Sequence, residues 1–425
     1  MISSESSDEE LETLHQQRVT VAPRKKKRPA PTPASDSVTP ASEPAPKPQD
    51  HEEQQAETAA TASEKATGDH DDLTVHPDMS REEKKELRKR RRLERKQQLA
   101  QELQDKQTRE AERERQLKGR PYTLSIAIPG SIIDNAQTKE LKTYLAGQIA
   151  RAAVIFQVDE IIVFDDQLGA AKSEGPKKPA HDCHVFMLRI LQYLETPQYL
   201  RRALFPMHSD LSCAGLLNPL DCPHHLRSNE WSVYREGVIV DRPLKEKEGS
   251  HVNVGLQREV VVDKRIQPGV RVTVKIDEAT KDNKKRMQGK LVSSAEPREQ
   301  LGVYWGYTAR FASSLHNVWK DCPFPGGYDL KIGTSERGNV SVDDDSFELP
   351  RYRHALVVFG GVAGIEECVN ADETIPVSGE ESHTLFDMWV NTCPAQGSRT
   401  IRSEEAMLIS LAALRKPLAV GGRRA

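Results

Sequence analysis

Three features of this chain predict an α/β fold built on a parallel sheet. Its apolar runs Tyr122–Ile128, Glu160–Phe164, His354–Phe359 and Leu385–Val390 are rich in β-branched residues and too continuous for strands with one wet face. A helix-period segment separates the first two runs, which makes a βαβ unit with a right-handed crossover. Three runs also end in polar loops that contain glycine or proline. These are Gly333-Thr-Ser-Glu-Arg-Gly338 after Tyr328–Ile332, Gly360-Gly361 after Phe359, and Asn391–Arg402 after Val390. Loops at the carboxyl ends of parallel strands converge on one crevice, so the three exits predict one pocket.

Bulk properties bound the rest. At 425 residues with 36% apolar content the chain has room for two domains plus tails, and it is too polar to be folded throughout. The net charge of −3 averages over segments of opposite sign. No apolar run reaches the roughly 18 residues that span a bilayer, and the acidic start lacks a signal-peptide profile. A soluble intracellular protein without a membrane partner is expected. The six cysteines form no Cys-x-x-Cys pair, and Cys213, Cys222, His224 and His225 fit no common zinc spacing, so no metal is expected. A Gly-x4-Gly-Lys-Ser/Thr loop is absent, which argues against a nucleotide hydrolase.

Residues 1–80 alternate acidic, Pro/Ala/Ser/Thr and Gln/Glu stretches without aromatic residues and read as a disordered tail. Within them Arg24-Lys-Lys-Lys-Arg28 is a basic cluster of the nuclear-import or nucleic-acid type, so nuclear localisation is expected. Residues 81–119 turn to Arg, Lys, Glu, Gln and Leu and predict a charged, basic, exposed helix. Its run Arg88–Arg92 suits a nucleic-acid backbone, or serves only to keep a spacer solvated.

Folded sequence begins with residues 120–225. After the strand at Tyr122–Ile128, Thr138 leads a helix whose Leu141, Leu145, Ile149, Ala153 and Phe156 share one face. The strand at Glu160–Phe164 exits into Asp165-Asp166, a carboxylate pair or simply a polar strand end. A loop at Lys172–Pro179 precedes a helix over Cys183–Leu194 and a further turn after Pro197. Residues 226–298 change character to short alternating strands: Val233–Val240, His251–Val254, Glu259–Val262, Val270–Ile276 and Gly289–Val292. Five such strands with basic loops predict a small OB-like barrel, with Lys264, Arg265, Lys284, Lys285, Arg286 and Lys290 as candidate RNA contacts. Residues 299–416 return to the α/β domain, with a helix expected over Phe311–Trp319 and an apolar helix over Ser403–Leu414 that stops ahead of Pro417. Residues 417–425 read as a flexible tail.

The series Gly333-Thr-Ser-Glu-Arg-Gly338, Val357-Val-Phe-Gly-Gly361-x-x-Gly364 and Asn391-Thr-x-Pro-x-Gln-Gly-Ser-Arg-Thr-Ile-Arg402-x-Glu-Glu-Ala406 resembles the SPOUT-class RNA methyltransferases over about residues 120–413. More narrowly, the series is similar to an archaeal and eukaryotic subfamily with a kinetochore-associated animal member. The last segment is similar to the Leu-Arg-x-Glu-Thr-Ala segment of SPOUT enzymes that methylate uridine N3 in ribosomal RNA, although Glu405 stands where those have Thr.

The resemblance implies a trefoil-knotted domain that carries the barrel as an insertion, with S-adenosylmethionine as cofactor and large-subunit ribosomal RNA as substrate. It also implies a homodimer formed through the knot, and it leaves open a scaffold role with spindle or kinetochore partners. Gly360, Gly361, Gly364, Asn391, Gln396, Gly397 and Ser398 are expected to hold the cofactor, aided by Arg310 and Glu336. Arg310, Glu336 and Arg402 are the expected catalytic residues, with Arg310 orienting the base and Glu336 taking its proton, and Arg337 is expected to meet RNA.

Overall fold

The computed structural model describes residues 119–167, 183–243, 249–281, 283 and 286–423, with helical pieces between 80 and 101. The expected tail with its Arg24–Arg28 cluster, most of the basic helix, the Lys172–Pro179 loop, Lys284, Lys285 and the last two residues lie outside the described residues. The described pieces at 81–82, 89–90, 92–93, 95–98 and 101 are helical and exposed. None of the helices among the described residues is long and apolar enough to cross a membrane.

A seven-stranded, wholly parallel sheet organises the folded body. Its strands are β1 (Thr123–Pro129), β2 (Glu160–Phe164), β8 (Thr308–Ala312), β9 (Leu330–Thr334), β10 (Val340–Ser341), β11 (His354–Val358) and β12 (Met388–Asn391), in the order β10-β12-β9-β11-β1-β2-β8. Every residue of β1 and β2 is buried, as continuous apolar strands require. Ile126, Ile128, Ile161, Val163 and Val357 face one core, and Ala127, Ile162, Phe164, Leu356 and Val358 face the other.

Helices α1 (Lys139–Ile155), α2 (Cys183–Glu195) and α7 (Ser403–Arg423) cover the first face. The second is covered by α5 (Leu315–Lys320) and α6 (Gly364–Ala371). The N-cap of α1 is Thr138, whose side chain accepts from Leu141 N, and Leu145, Ile149 and Ala153 of α1 are buried as expected. Leu141 is not, being 54% exposed beside an equally open Tyr144 and Ile155. Small residues at Ala146, Ala150 and Ala152 let the opposite flank of the helix pack closely instead.

Between α3 (Gln198–Leu204) and α4 (Glu296–Leu301) the chain makes a closed barrel of β3 (Tyr234–Ile239), β4 (His251–Asn253), β5 (Val260–Val262), β6 (Arg271–Ile276) and β7 (Met287–Val292). Its order is β3-β4-β5-β7-β6, with β6 closing on β3 and only β5 and β7 parallel. Val252, Val254, Val260, Val274, Ile276 and Met287 fill it.

Two expectations need correction. The helix expected from Phe311 is a strand through Ala312, and α5 begins only at Leu315 after Ser314, whose hydroxyl accepts from Asn317 N. At the other end, α7 does not stop before Pro417 but runs to Arg423, so residues 417–423 are no flexible tail. An interior proline costs about 3 kcal/mol. Here packing offsets it: Leu418 is buried, its carbonyl accepts from Tyr352 Oη at 2.8 Å, and Gly422 lies against the Tyr122 ring.

Candidate active site

A cleft of about 310 Å³ opens where β9, β11 and β12 end and α7 begins. Side chains tie its walls together. Thr334 Oγ1 donates to Val358 O at 2.9 Å, and Ser335 Oγ to Glu366 Oε1 at 3.2 Å. Asn391 bridges two loops, donating from Nδ2 to Glu336 O at 2.9 Å and accepting at Oδ1 from Cys393 N at 3.0 Å. Ser403 Oγ, at the start of α7, donates to Gly360 O at 2.9 Å. Two glycines permit the closeness of these loops: a Cβ on Gly338 would fall 2.1 Å from Asn391 N, and one on Gly360 would fall 2.6 Å from Ile365 N.

The lining combines backbone groups of the Gly360–Gly364 turn with the carboxylates of Glu336, Glu366 and Glu367 and the cations of Arg337 and Arg399. Such a mixture fits a ligand with a heterocycle, a cationic centre and a carboxylate, as S-adenosylmethionine has. The structure brings Glu336, Gly360, Gly361, Gly364, Asn391 and Gln396 into this cleft. Gly397 and Ser398 belong to the same loop but stand back from it, with Ser398 Oγ donating to Thr400 O. Arg402 is exposed, and its backbone N–H donates to Glu405 Oε2 at 3.0 Å, so Glu405 caps the helix start.

Arg310 is the main correction. Its Nε donates to Glu160 Oε1 at 2.7 Å, and its Nη2 donates to Val318 O at 2.6 Å and reaches Tyr328 Oη at 3.1 Å. Glu160 opens β2 and Tyr328 precedes β9, so this guanidinium points toward the amino ends of the strands, away from the cleft. It neutralises a buried carboxylate and does not line this cleft.

On the barrel, Lys264, Arg265, Arg286 and Lys290 are all exposed. Arg286 and Lys290 border a broad groove with Tyr234, Lys275 and Gln288. Of the four residues weighed as zinc ligands, Cys222, His224 and His225 come together with ligand atoms within 4.8 Å, and Cys213 is not in that group. Both histidine Nε2 atoms there are engaged by the Glu195 carbonyl, at 3.0 and 2.7 Å.

Sequence reasoning missed Ser335, Glu366 and Ser403, the polar residues that fix the cleft walls. A usable signal existed for Glu366, because Glu366-Glu367 comes just after Gly364-Ile365 as the acidic first turn of a helix.

A family model described as "Putative RNA methyltransferase" matches residues 123–414. The chain is 55% identical over 334 residues to a human 28S rRNA (uridine-N(3))-methyltransferase, covering 77% of this chain and 87% of that one. It is 47% identical over 356 residues to the Drosophila melanogaster protein of the same name, covering 79% and 72%. A crystal structure of the SpoU methyltransferase AviRb from Streptomyces viridochromogenes with AdoMet aligns at 12% identity with a TM-score of 0.25 over 71% of this chain and 60% of that one, too slight for a comparison of folds. The family match spans more than half of the sequence, from β1 into α7, and the chain belongs to this family of RNA methyltransferases.

Proposed function

We propose that the protein transfers the methyl group of S-adenosylmethionine to N3 of a uridine in large-subunit ribosomal RNA. The 55% identity to the human enzyme of that name carries this reading. When bound, S-adenosylmethionine supplies a methyl group already activated by a cationic sulfur, so the protein has mainly to position and to balance charge. Positioning alone can remove about 7–11 kcal/mol of barrier.

Backbone groups of Gly360, Gly361 and Gly364, with Asn391 and Gln396, hold the adenosine part, and Gly397 and Ser398 shape the loop that carries Gln396. Glu336 and Glu366 balance the sulfonium and ammonium charges, and Arg337 and Arg399 meet the cofactor carboxylate or an RNA phosphate. Arg402, exposed next to the cleft, meets the RNA. The barrel has the strand order of an OB fold, which supports a second RNA contact through Lys264, Arg265, Arg286 and Lys290. A homodimer fits the apolar groove where Tyr144 and Ile155 of α1 stand open beside Leu408 of α7. The knotted threading and nuclear localisation belong to the same reading.

The test is calorimetric titration of S-adenosylmethionine into the full chain, followed by mass spectrometry of nucleosides from a treated large-subunit RNA transcript. Micromolar binding and the appearance of N3-methyluridine are expected. Binding with methylation of another atom would remove the uridine N3 assignment while keeping the enzyme.

A further inference from the structure

Six carboxylates are buried among the described residues: Glu160, Asp166, Glu195, Asp210, Glu236 and Asp372. Taking such a group out of water is costly unless a cation or several donors compensate it. Glu160 has Arg310, Asp210 has Arg189, and Glu195 and Glu236 share Arg271. Asp372 accepts from His316 N, Thr374 N and Thr374 Oγ1.

Asp166 has much less. It is 4% exposed, and among the described residues its one hydrogen bond comes from Ser131 Oγ to Oδ2. Among the described residues no cation pairs with it, and Oδ1 has no hydrogen bond there. A buried carboxylate left in this state is suited to a ligand that brings a donor.

Its place in the fold says which ligand. Ser131 follows β1 and Asp166 follows β2, and β1 lies between β2 and β11, so both residues border the loop that leaves β11. A Cβ on Gly361 would be 3.6 Å from Asp166 Oδ2 and 3.9 Å from Ser131 Oγ. Gly361 lines the cleft and Asp166 does not. The carboxylate therefore sits beside the cofactor loop rather than in the cofactor's space.

We propose that Asp166, held by Ser131, is the general base that accepts the N3–H proton of the target uracil. This rests on the uridine N3 reading above. A neutral imide nitrogen is a poor nucleophile, because its lone pair is delocalised into two carbonyls. As the proton passes from N3 to Oδ1, the freed pair on N3 forms the bond to the methyl carbon. The carbon–sulfur bond breaks with its electrons going to sulfur, which leaves neutral S-adenosylhomocysteine, and the proton on Asp166 then passes to water.

Among the described residues, the titratable groups near Asp166 are Cys368 of α6, its chain neighbour Asp165 and, paired with Asp165, His184 of α2. Burial pushes the Cys368 thiol up to about 12, so it stays neutral through the working range. Burial opposes ionisation of Asp165, but the hydrogen bond and charge of His184 together with the Gln167 N–H outweigh it and hold Asp165 low. Burial also opposes the charged His184, yet its hydrogen bonds to Asp165 and Cys183 push it up to about 10, so none of the three groups enters the expected pH profile.

The experiment compares the full chain with Asp166→Asn and Ser131→Ala, using tritiated S-adenosylmethionine and the unmethylated large-subunit transcript across pH, with cofactor affinity measured separately. In Asp166→Asn, kcat is expected to fall about 100-fold or more, with cofactor affinity within about threefold of wild type, and the acid limb of the rate profile to disappear. Ser131→Ala removes the one hydrogen bond that holds the carboxylate in place, so kcat should fall about tenfold while cofactor affinity stays unchanged. A kcat for Asp166→Asn within about threefold of wild type, or a loss of cofactor affinity equal to the loss of rate, overturns the proposal. If Asp166→Asn does not fold, a kcat for Ser131→Ala within about twofold of wild type overturns it instead. Wild-type protein that forms no N3-methyluridine overturns the functional reading itself, a failure visible without any variant.

Discussion

The seam between barrel and sheet domain and the cleft at the strand ends are both polar, and they use polarity in opposite ways. At the seam, Arg271 Nη1 and Nη2 hold Glu195 at 2.5 and 2.9 Å while Nε holds Glu236 at 2.7 Å. Thr273 Oγ1 and Trp305 Nε1 both donate to Glu236 Oε1, and His224 Nε2 lies 3.1 Å from Glu195 Oε1. Each carboxylate is buried and satisfied within the protein. In the cleft, side chains brace the backbone from outside, while the exposed Glu336 and Arg337 are left to a ligand. The seam spends its charges on shape, and the cleft keeps its charges for binding.

Breaking the seam should have the largest effect. Arg271→Met leaves two buried carboxylates without their shared cation, a change expected to cost about 3–5 kcal/mol. Urea denaturation followed by tryptophan fluorescence, to which Trp305 beside Glu236 contributes, measures the loss. Stability within about 1 kcal/mol of wild type would mean the two carboxylates are compensated elsewhere, and the contrast with the cleft would fail.

Acid should weaken the same seam. Burial, with the neighbouring His224 adding to it, lowers His225 to about 4, so the folded protein keeps this ring neutral. An unfolded histidine, with a pKa near 6.5, takes up its proton first as pH falls, so stability drops between about 6.5 and 4, by up to about 3 kcal/mol. Glu195 is held low because Arg271 and His224 outweigh its burial, so its contribution is present above the ordinary carboxylate range and is lost further into acid. His225→Asn should flatten the first step, and an unchanged profile in that variant would assign the acid sensitivity to another group.

The same division separates what could be read from the sequence and what could not. Strands buried on both faces announce themselves as unbroken apolar runs, so β1, β2 and β11 were plain, and alternating Val270–Ile276 gave away the barrel. The edge strand β8, Thr-Ala-Arg-Phe-Ala, is only half-buried and mixes polar with apolar residues, so it passed for the start of a helix. The cleft was legible because glycines and prolines mark its loops. Which arginine faces it was not, since a guanidinium for a ligand and one for a buried glutamate are spelled alike; only the direction of β8 relative to Glu160 separates them. Asp166 was visible as a charge at a strand end, but the feature that distinguishes it, a missing partner, exists only in three dimensions.

The smallest expected effect sharpens the contrast from the cleft side. Asn391→Ala removes the bridge between the β9 and β12 loops without touching either core. Because Asn391 is only partly buried, the released carbonyl and N–H can turn to water, and stability should change by no more than about 1 kcal/mol. The loops would then have to be ordered by the ligand itself, which should weaken S-adenosylmethionine binding about tenfold in calorimetry, or about 1.4 kcal/mol. A large fall in melting temperature with unchanged affinity would place Asn391 with the seam residues, as a group whose hydrogen bonds maintain the fold rather than prepare the site.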